Sequence, residues 1–279
     1  MEAIVRTVYG AALQTSQLLG RPLTLKPYST LNEKFNIHTD VLLANDDNLF
    51  LQYATIGNGG HRMVMGTNGI SRPEPIQHLP RHSALYNHLP FVLRLPANDL
   101  TALERAKYRL RRLETHDSVQ YVAYYGKVLD FTNTVPQLEL RSVVDGVTTS
   151  TLFEPTVQDM SPTPPPLTPG GVITATGDYI AATAKVPFVM TPEDIVEFLQ
   201  VCNIIYGDDS YAMISEIGLC SGVDRTVVGD FNGTNAGYTD AIGVQIVSFV
   251  SAFFAAKFTN NGISVEFDIG SVEALLNLS

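Results

Sequence analysis

The chain has 279 residues, 45% of them apolar and only 16% charged, with a formal net charge of −10 and just two cysteines. That is apolar material for one large core or two modest ones, and it excludes a disulfide-stapled miniature fold. Residues 1–141 hold 15 basic against 12 acidic groups, whereas 142–279 hold 3 against 16, so the halves carry +3 and −13. The second half therefore repels polyanions and favours basic or neutral partner surfaces, and no specific nucleic-acid binding is expected.

The first 19 residues place Ile4, Val5, Val8, Ala12 and Leu19 near helical spacing, with Gly20-Arg21-Pro22 as a stop. Glu2 and Arg6 interrupt any apolar run there, so this is no secretory signal, and synthesis in the cytoplasm is expected. Short strands are predicted at 41–43 and 49–56, the second ended by the glycines of 57–60. Between 66 and 96 prolines 73, 75, 80, 90 and 96 recur too often for a regular helix, which predicts an extended, surface-hugging arm or loop of the kind that in an assembling protein reaches a neighbour.

A helix is predicted over 100–114, with Leu103, Ala106, Leu110 and Leu113 as its apolar stripe and Arg105, Lys107, Arg109, Arg111 and Arg112 as a basic face. That face meets solvent, nucleic acid or an acidic neighbour, the chain's own second half included. Strand-like runs follow at 119–131, 137–144 and 147–153, the last two flanking the hairpin dipeptide Asp145-Gly146. The proline-rich stretch 161–171 reads as a linker.

Beyond it, strands are predicted at 172–176 and 179–189, and Thr191-Pro192-Glu193-Asp194 opens a helix with its cap and first-turn acids. Cys202 and Cys220 lie in apolar runs and are expected to be buried free thiols. The uncharged run 241–256 is 16 residues long, short of the roughly 20 a membrane-spanning helix needs, and reads as core, so no membrane partner is expected. The chain ends in a predicted turn at 260–262, a strand at 263–269 and a short helix at 271–278. The whole is a β-rich α+β chain of hairpins and sandwich-like sheets, with a few capped helices and long Pro-rich arms. Its expected divisions are a mixed domain at 1–155 with the arm at 66–96, a linker at 156–171, and an acidic α+β domain at 172–279.

Several motifs suggest chemistry and each falls short. Tyr206-Gly207-Asp208-Asp209 resembles the metal-binding turn of viral RNA-dependent polymerases, but the capped helix before it predicts helix, turn, strand where that site needs strand, turn, strand. His78, His82 and His88 have spacing that suggests zinc, yet prolines 80 and 90 forbid one helix through them and no cysteine is near, leaving loop histidines or a structural metal on the arm. Gly57-Asn58-Gly59-Gly60-His61-Arg62 has the glycines of a phosphate cradle without Gly-Lys-Ser/Thr or a following helix. No catalytic, cofactor-binding or metal-binding residue is assigned.

Three runs, 31–36 (Leu-Asn-Glu-Lys-Phe-Asn), 56–62 (Ile-Gly-Asn-Gly-Gly-His-Arg) and 215–224 (Ser-Glu-Ile-Gly-Leu-Cys-Ser-Gly-Val-Asp), are similar to segments of structural proteins from contractile-tailed bacteriophages. The resemblance implies a virion subunit at the neck, collar or baseplate, forming a symmetric oligomer with copies of itself and meeting portal, connector or tail proteins. Such a ring invites the idea of an acidic lumen lined by Asp208, Asp209, Asp224, Asp230 and Asp240. The competing class is a hydrolase of neutral polysaccharide using carboxylates among Asp208, Asp209, Glu216 and Asp224.

Overall fold

The computed structural model describes residues 3–164, 173–231, 234–258 and 262–278. The amino-terminal elements are β1 (Ala3–Arg6), α1 (Val8–Leu19), α2 (Leu31–Phe35), β2 (Phe50–Gly57), β3 (His61–Met65) and β4 (Ser71–Pro75). There follow β5 (His88–Leu89), β6 (Val92–Arg94), α3 (Ala102–Arg105), β7 (Tyr108–His116), β8 (Val119–Val128), β9 (Gln137–Val144) and β10 (Val147–Leu152). The remainder is β11 (Ile173–Met190), α4 (Pro192–Tyr206), β12 (Met213–Phe231), β13 (Thr234–Ala255) and β14 (Ile263–Leu278). The fold is β-rich α+β, as the alternating runs and turn signals predict.

Two compact units form, and neither is continuous in sequence. One comprises Met1–Leu129 with Val189–Ser264, the other Asp130–Phe188 with Val265–Ser279. These units do not follow the expected divisions, because strand pairing joins distant stretches, β14 to β11 and β12 to β2. Counted by unit, the charge is 16 basic against 19 acidic groups in the first and 2 against 9 in the second, −3 and −7 rather than +3 and −13.

The first unit is built on an eight-stranded sheet in the order β1-β13-β12-β2-β8-β6, with β5 added to β2 and β7 to β8. Ala241, Ile242, Val244, Ile246, Phe249 and Val250 of β13 are all buried, so the uncharged run is core. Helix α1 sits against β13 because residue 10 has no side chain: a Cβ there would lie 2.3 Å from the Val247 carbonyl oxygen. Its cap, Thr7, accepts from Gly10 N at 3.0 Å and donates to the Ile246 carbonyl at 2.7 Å. Asn32 fastens α2 to the same strand, its amide donating to Ala241 O at 2.9 Å and accepting from Val244 N at 2.9 Å. This accounts physically for the buried asparagine in the run 31–36.

Four local predictions change. Residues 3–6 do not extend the first helix but pair with β13, from Ala3↔Ser251 to Arg6↔Ser248. Residues 41–43 form no strand, since the left-handed backbone at Asn36 (φ 54°) and His38 (φ 48°) opens an irregular passage. The predicted helix 100–114 is only the single turn α3, after which the chain becomes β7. A two-residue turn at Asp117 and Ser118, both with positive φ, pairs β7 with β8 from His116↔Val119 back to Tyr108↔Lys127. Residues 271–278 belong to β14 rather than a helix.

The segment 66–96 is extended and without α-helix, as its prolines predict. From Ile76 it folds back onto its own unit, with His78, Leu85, Leu89, Phe91, Val92 and Leu93 buried. Its prolines break helix without freeing the chain.

The second unit is a four-stranded sheet in the order β10-β9-β11-β14. Asp145 and Gly146 make the predicted hairpin turn with φ 51° and 77°, the mirror-image turn that suits twisted strands. Strands 172–176 and 179–189 are continuous in β11, whose described part starts at Ile173. Among the described residues, the buried apolar side chains of this unit are Ala181, Val186, Phe188 and Phe267. The expected linker residues 165–171 and the turn residues 260 and 261 lie outside the described residues.

Candidate functional site

Motifs far apart in sequence meet around one carboxylate. Glu216 on β12 has a fully enclosed side chain, and each of its oxygens takes two donors. Oε1 accepts from Gly59 N (3.0 Å) and Asn87 N (2.9 Å), and Oε2 from His78 Nε2 (2.7 Å) and Tyr86 N (2.9 Å). The glycine run makes this possible, because a Cβ at Gly57 would sit 2.3 Å from the Asn87 carbonyl oxygen and 2.6 Å from Glu216 Oε1. The loop with phosphate-cradle glycines does bind an anion, and the anion is the chain's own side chain.

His78 is held as firmly. Its ring lies between those of Tyr86 and Phe249, with centroids 4.2 and 3.9 Å away, and its Nδ1 is 3.2 Å from His82 Nδ1. Burial, with the nearby His78 and Arg81, keeps His82 below the ordinary histidine pKa. His88 belongs to a different contact. Its Nε2 accepts from Leu85 N at 2.9 Å, which leaves the ring proton on Nδ1, facing Thr55 Oγ1 at 3.2 Å. Of the three histidines with zinc-like spacing, two touch and one does not, and among the described residues no three metal-binding side chains converge. What fastens the Pro-rich segment is Glu216.

At the surface beside this hub, Asn87 Nδ2 lies 2.6 Å from Asn58 Oδ1 and 3.0 Å from Tyr206 Oη. Tyr206 ends α4, and Gly207 at φ 71° turns the chain into a 3-10 turn at Asp209–Tyr211, giving helix, turn, strand. Asp208 caps that turn through Ser210 N at 2.7 Å, which lowers its pKa, and Asp209 pairs with Lys257 at 2.5 Å. A shallow depression of about 410 Å³ lies there, lined in part by Gln200, Asn203 and the two aspartates.

Several other acids of the second half pair with cations of the first. Arg109 meets Asp224 in a two-pronged pair, Nε and Nη2 each 2.7 Å from a carboxylate oxygen, and Tyr53 Oη adds a third bond at 2.7 Å. Burial opposes ionisation of Asp224, but these hydrogen bonds and the guanidinium charge hold it below the usual carboxylate range. Asp194 pairs with Lys127 and accepts from Tyr108, and Glu197 pairs with Arg94. Asp240 is wholly enclosed, accepting from the backbone N–H of Leu110, Arg111 and Ala241 and lying 3.1 Å from His38 Nε2.

The basic helix face is thereby corrected. Arg109 and Arg111 lie on β7, are buried, and are paired with Asp224 and Asp99. The acidic-lumen idea loses Asp240, which is wholly enclosed, whereas Asp224 is bound to Arg109 with its side chain 42% exposed and the Asp230 side chain lies outside the described ones. The carboxylate-pair idea loses Glu216, whose oxygens are saturated, and its separation from Asp224 along β12 is about 26 Å at roughly 3.3 Å per residue, far beyond glycosidase spacing. Arg109→Met is expected to cost about 2 kcal/mol in urea denaturation by stranding Asp224 half-buried; a loss below about 0.5 kcal/mol would show the pair to be inert.

Cys202 and Cys220 are buried free thiols, and burial pushes the Cys202 thiol up to about 12. Sequence reasoning did not single out Glu216 as a hub. The available signal was an isolated carboxylate inside the apolar run 212–220, where a buried charge requires partners. No helix of the described residues is long and apolar enough to cross a membrane.

The molecule is thus a two-unit, β-rich α+β protein whose buried carboxylates are bonded to the chain's own donors. A family of unknown function, DUF7208, matches over residues 1–279, and the chain belongs to that family. No curated protein and no solved structure matches it.

Proposed function

We propose that this chain is a structural subunit of a tailed-bacteriophage virion, placed at the neck, that works by assembling with copies of itself and with neighbouring virion proteins rather than by catalysis. One observation carries the assembly reading. The β9–β10 hairpin leaves Leu138, Val143, Val144, Val147 and Leu152 between 42% and 65% exposed, in a unit with four buried apolar residues among those described. A sheet of this size that keeps its apolar side chains in water gains by burying them against a neighbour. The similarity of 31–36, 56–62 and 215–224 to phage structural proteins supports a virion subunit, and neck, collar and baseplate all fit it. Glu216 and Asp240, both enclosed and with their oxygens taken by the chain's own donors, favour a building block over a carboxylate hydrolase.

The test has two arms. Light scattering after size-exclusion chromatography should give a discrete multiple of the 30.4 kDa chain mass. Mass spectrometry of density-purified particles of the encoding phage should find the protein at fixed stoichiometry; its absence from them would overturn the virion reading.

A further inference from the structure

We infer that two copies of this chain join edge to edge along β10, antiparallel, with Ser150 opposite Ser150 of the second copy, so that two four-stranded sheets become one of eight. The inference rests on the assembly reading and names its first contact.

The β10 strand ends its sheet, and among the described residues no strand pairs with its outer edge. Its sequence, Val-Thr-Thr-Ser-Thr-Leu, has no charge and no proline, and every residue is exposed. Its register against β9 is regular from Val147↔Val144 to Leu152↔Glu139, with no bulge to twist the edge away. Protein sheet edges ordinarily carry one of these protections, because an open row of N–H and C=O groups recruits another strand. β-branched residues that fit a strand and an edge without a guard together point to a partner strand.

The chemistry of the edge selects a second copy. Phe153 N bonds Leu138 O at 2.9 Å, so by the alternation of an antiparallel ladder the backbone groups of residues 147, 149, 151 and 153 face β9. Those of Thr148, Ser150 and Leu152 face outward. A two-fold axis at Ser150 sets Ser150 against itself and Thr148 against Leu152 of the second copy, so each outward N–H meets an outward carbonyl. Moving the axis to Thr149 leaves Leu152 opposite the turn residue Gly146. In the Ser150 register, Val147 faces Phe153 and Thr149 faces Thr151 of the other copy, while Asp145 and Glu154 face Pro155 and Gly146. Apart from Thr148 against Leu152, where a threonine methyl can meet the leucine, apolar meets apolar and hydroxyl meets hydroxyl, and no like charges oppose.

Cysteine pairing reads this register directly. Thr149→Cys and Thr151→Cys, purified separately, should form no covalent dimer alone, because each faces the other position and its own copy lies about 8 Å away diagonally, too far for a disulfide. Mixed and mildly oxidised, they should cross-link. The native thiols are buried and do not compete. In parallel, Ser150→Pro removes one outward N–H while leaving the β9 ladder intact, and should halve the mass of the wild-type oligomer. An oligomer that keeps its mass in Ser150→Pro, with no cross-link in the mixture, overturns this contact and leaves the assembly reading standing. A wild-type monomer at all concentrations overturns both.

Discussion

Glu216→Gln is expected to lower the stability of the first unit by about 3–5 kcal/mol, because a fully enclosed carboxylate that accepts from four donors is replaced by an amide that can accept from only one pair of them. The substituted amide must turn its NH2 toward either Gly59 N and Asn87 N or His78 Nε2 and Tyr86 N, setting donor against donor. At about 2–4 °C per kcal/mol for a unit of this size, the thermal midpoint should fall by about 10 °C. Hydrogen exchange gives a local readout, since Gly59, Tyr86 and Asn87 should lose amide protection before the strands of the sheet do. A loss below about 1 kcal/mol with those amides still protected would mean that the segment 76–89 is held by its apolar contacts alone.

Stability should fall below about pH 6, and His88→Gln should flatten the fall. Burial, with the Lys34 and His78 charges adding, pushes the His88 imidazole down to about 3 from the ordinary 6.5. A second ring proton on Nε2 would point at the Leu85 N–H that this nitrogen accepts. The folded state therefore keeps His88 neutral where the unfolded chain takes up a proton. Its contribution is complete above pH 6.5 and is lost as pH falls from there toward 3. One such group is worth at most about 1.4 kcal/mol per pH unit, and the partial exposure of the residue brings the expected slope to about 1. Urea denaturation at pH 7, 6, 5 and 4 should show wild type losing about 2 kcal/mol more than His88→Gln between pH 6 and 4. Glutamine can still accept from Leu85 N and donate to Thr55, so parallel curves would place the acid sensitivity elsewhere.

The Glu216 contacts join residues at least 129 positions apart and His88 meets Thr55 33 positions away, and such separations mark the limit of what could be read from the chain alone. Helix α4 was legible because its signals are local: Thr191 and Asp194 form a capping box, Pro192 opens the helix, and Gly207 closes it in a left-handed conformation. The Asp145-Gly146 hairpin and the burial of Cys202 and Cys220 are local in the same sense, set by turn geometry and by runs of apolar neighbours. Composition and alternation sufficed for a β-rich α+β class.

The stretch 100–114 shows where that kind of reading stops. Its leucines fit a helix and its alternating arginines fit a strand equally well, and the Asp117-Ser118 turn, lacking glycine, announces no hairpin. Pairing with β8 across a turn that carries no glycine signal, and the attraction of Arg109 for Asp224 115 positions away, decided the matter. Charge follows the same rule: an asymmetry of +3 and −13 along the chain becomes −3 and −7 by unit, because β12 and β13 return to the strands of the amino-terminal half. Residue types, local turns and helix caps are properties of neighbours in sequence, written into the chain before it folds. Which glycine loop receives Glu216, which arginine neutralises Asp224 and which sheet edge stays open are consequences of long-range strand pairing, settled only when burial forces each polar group to find its partner.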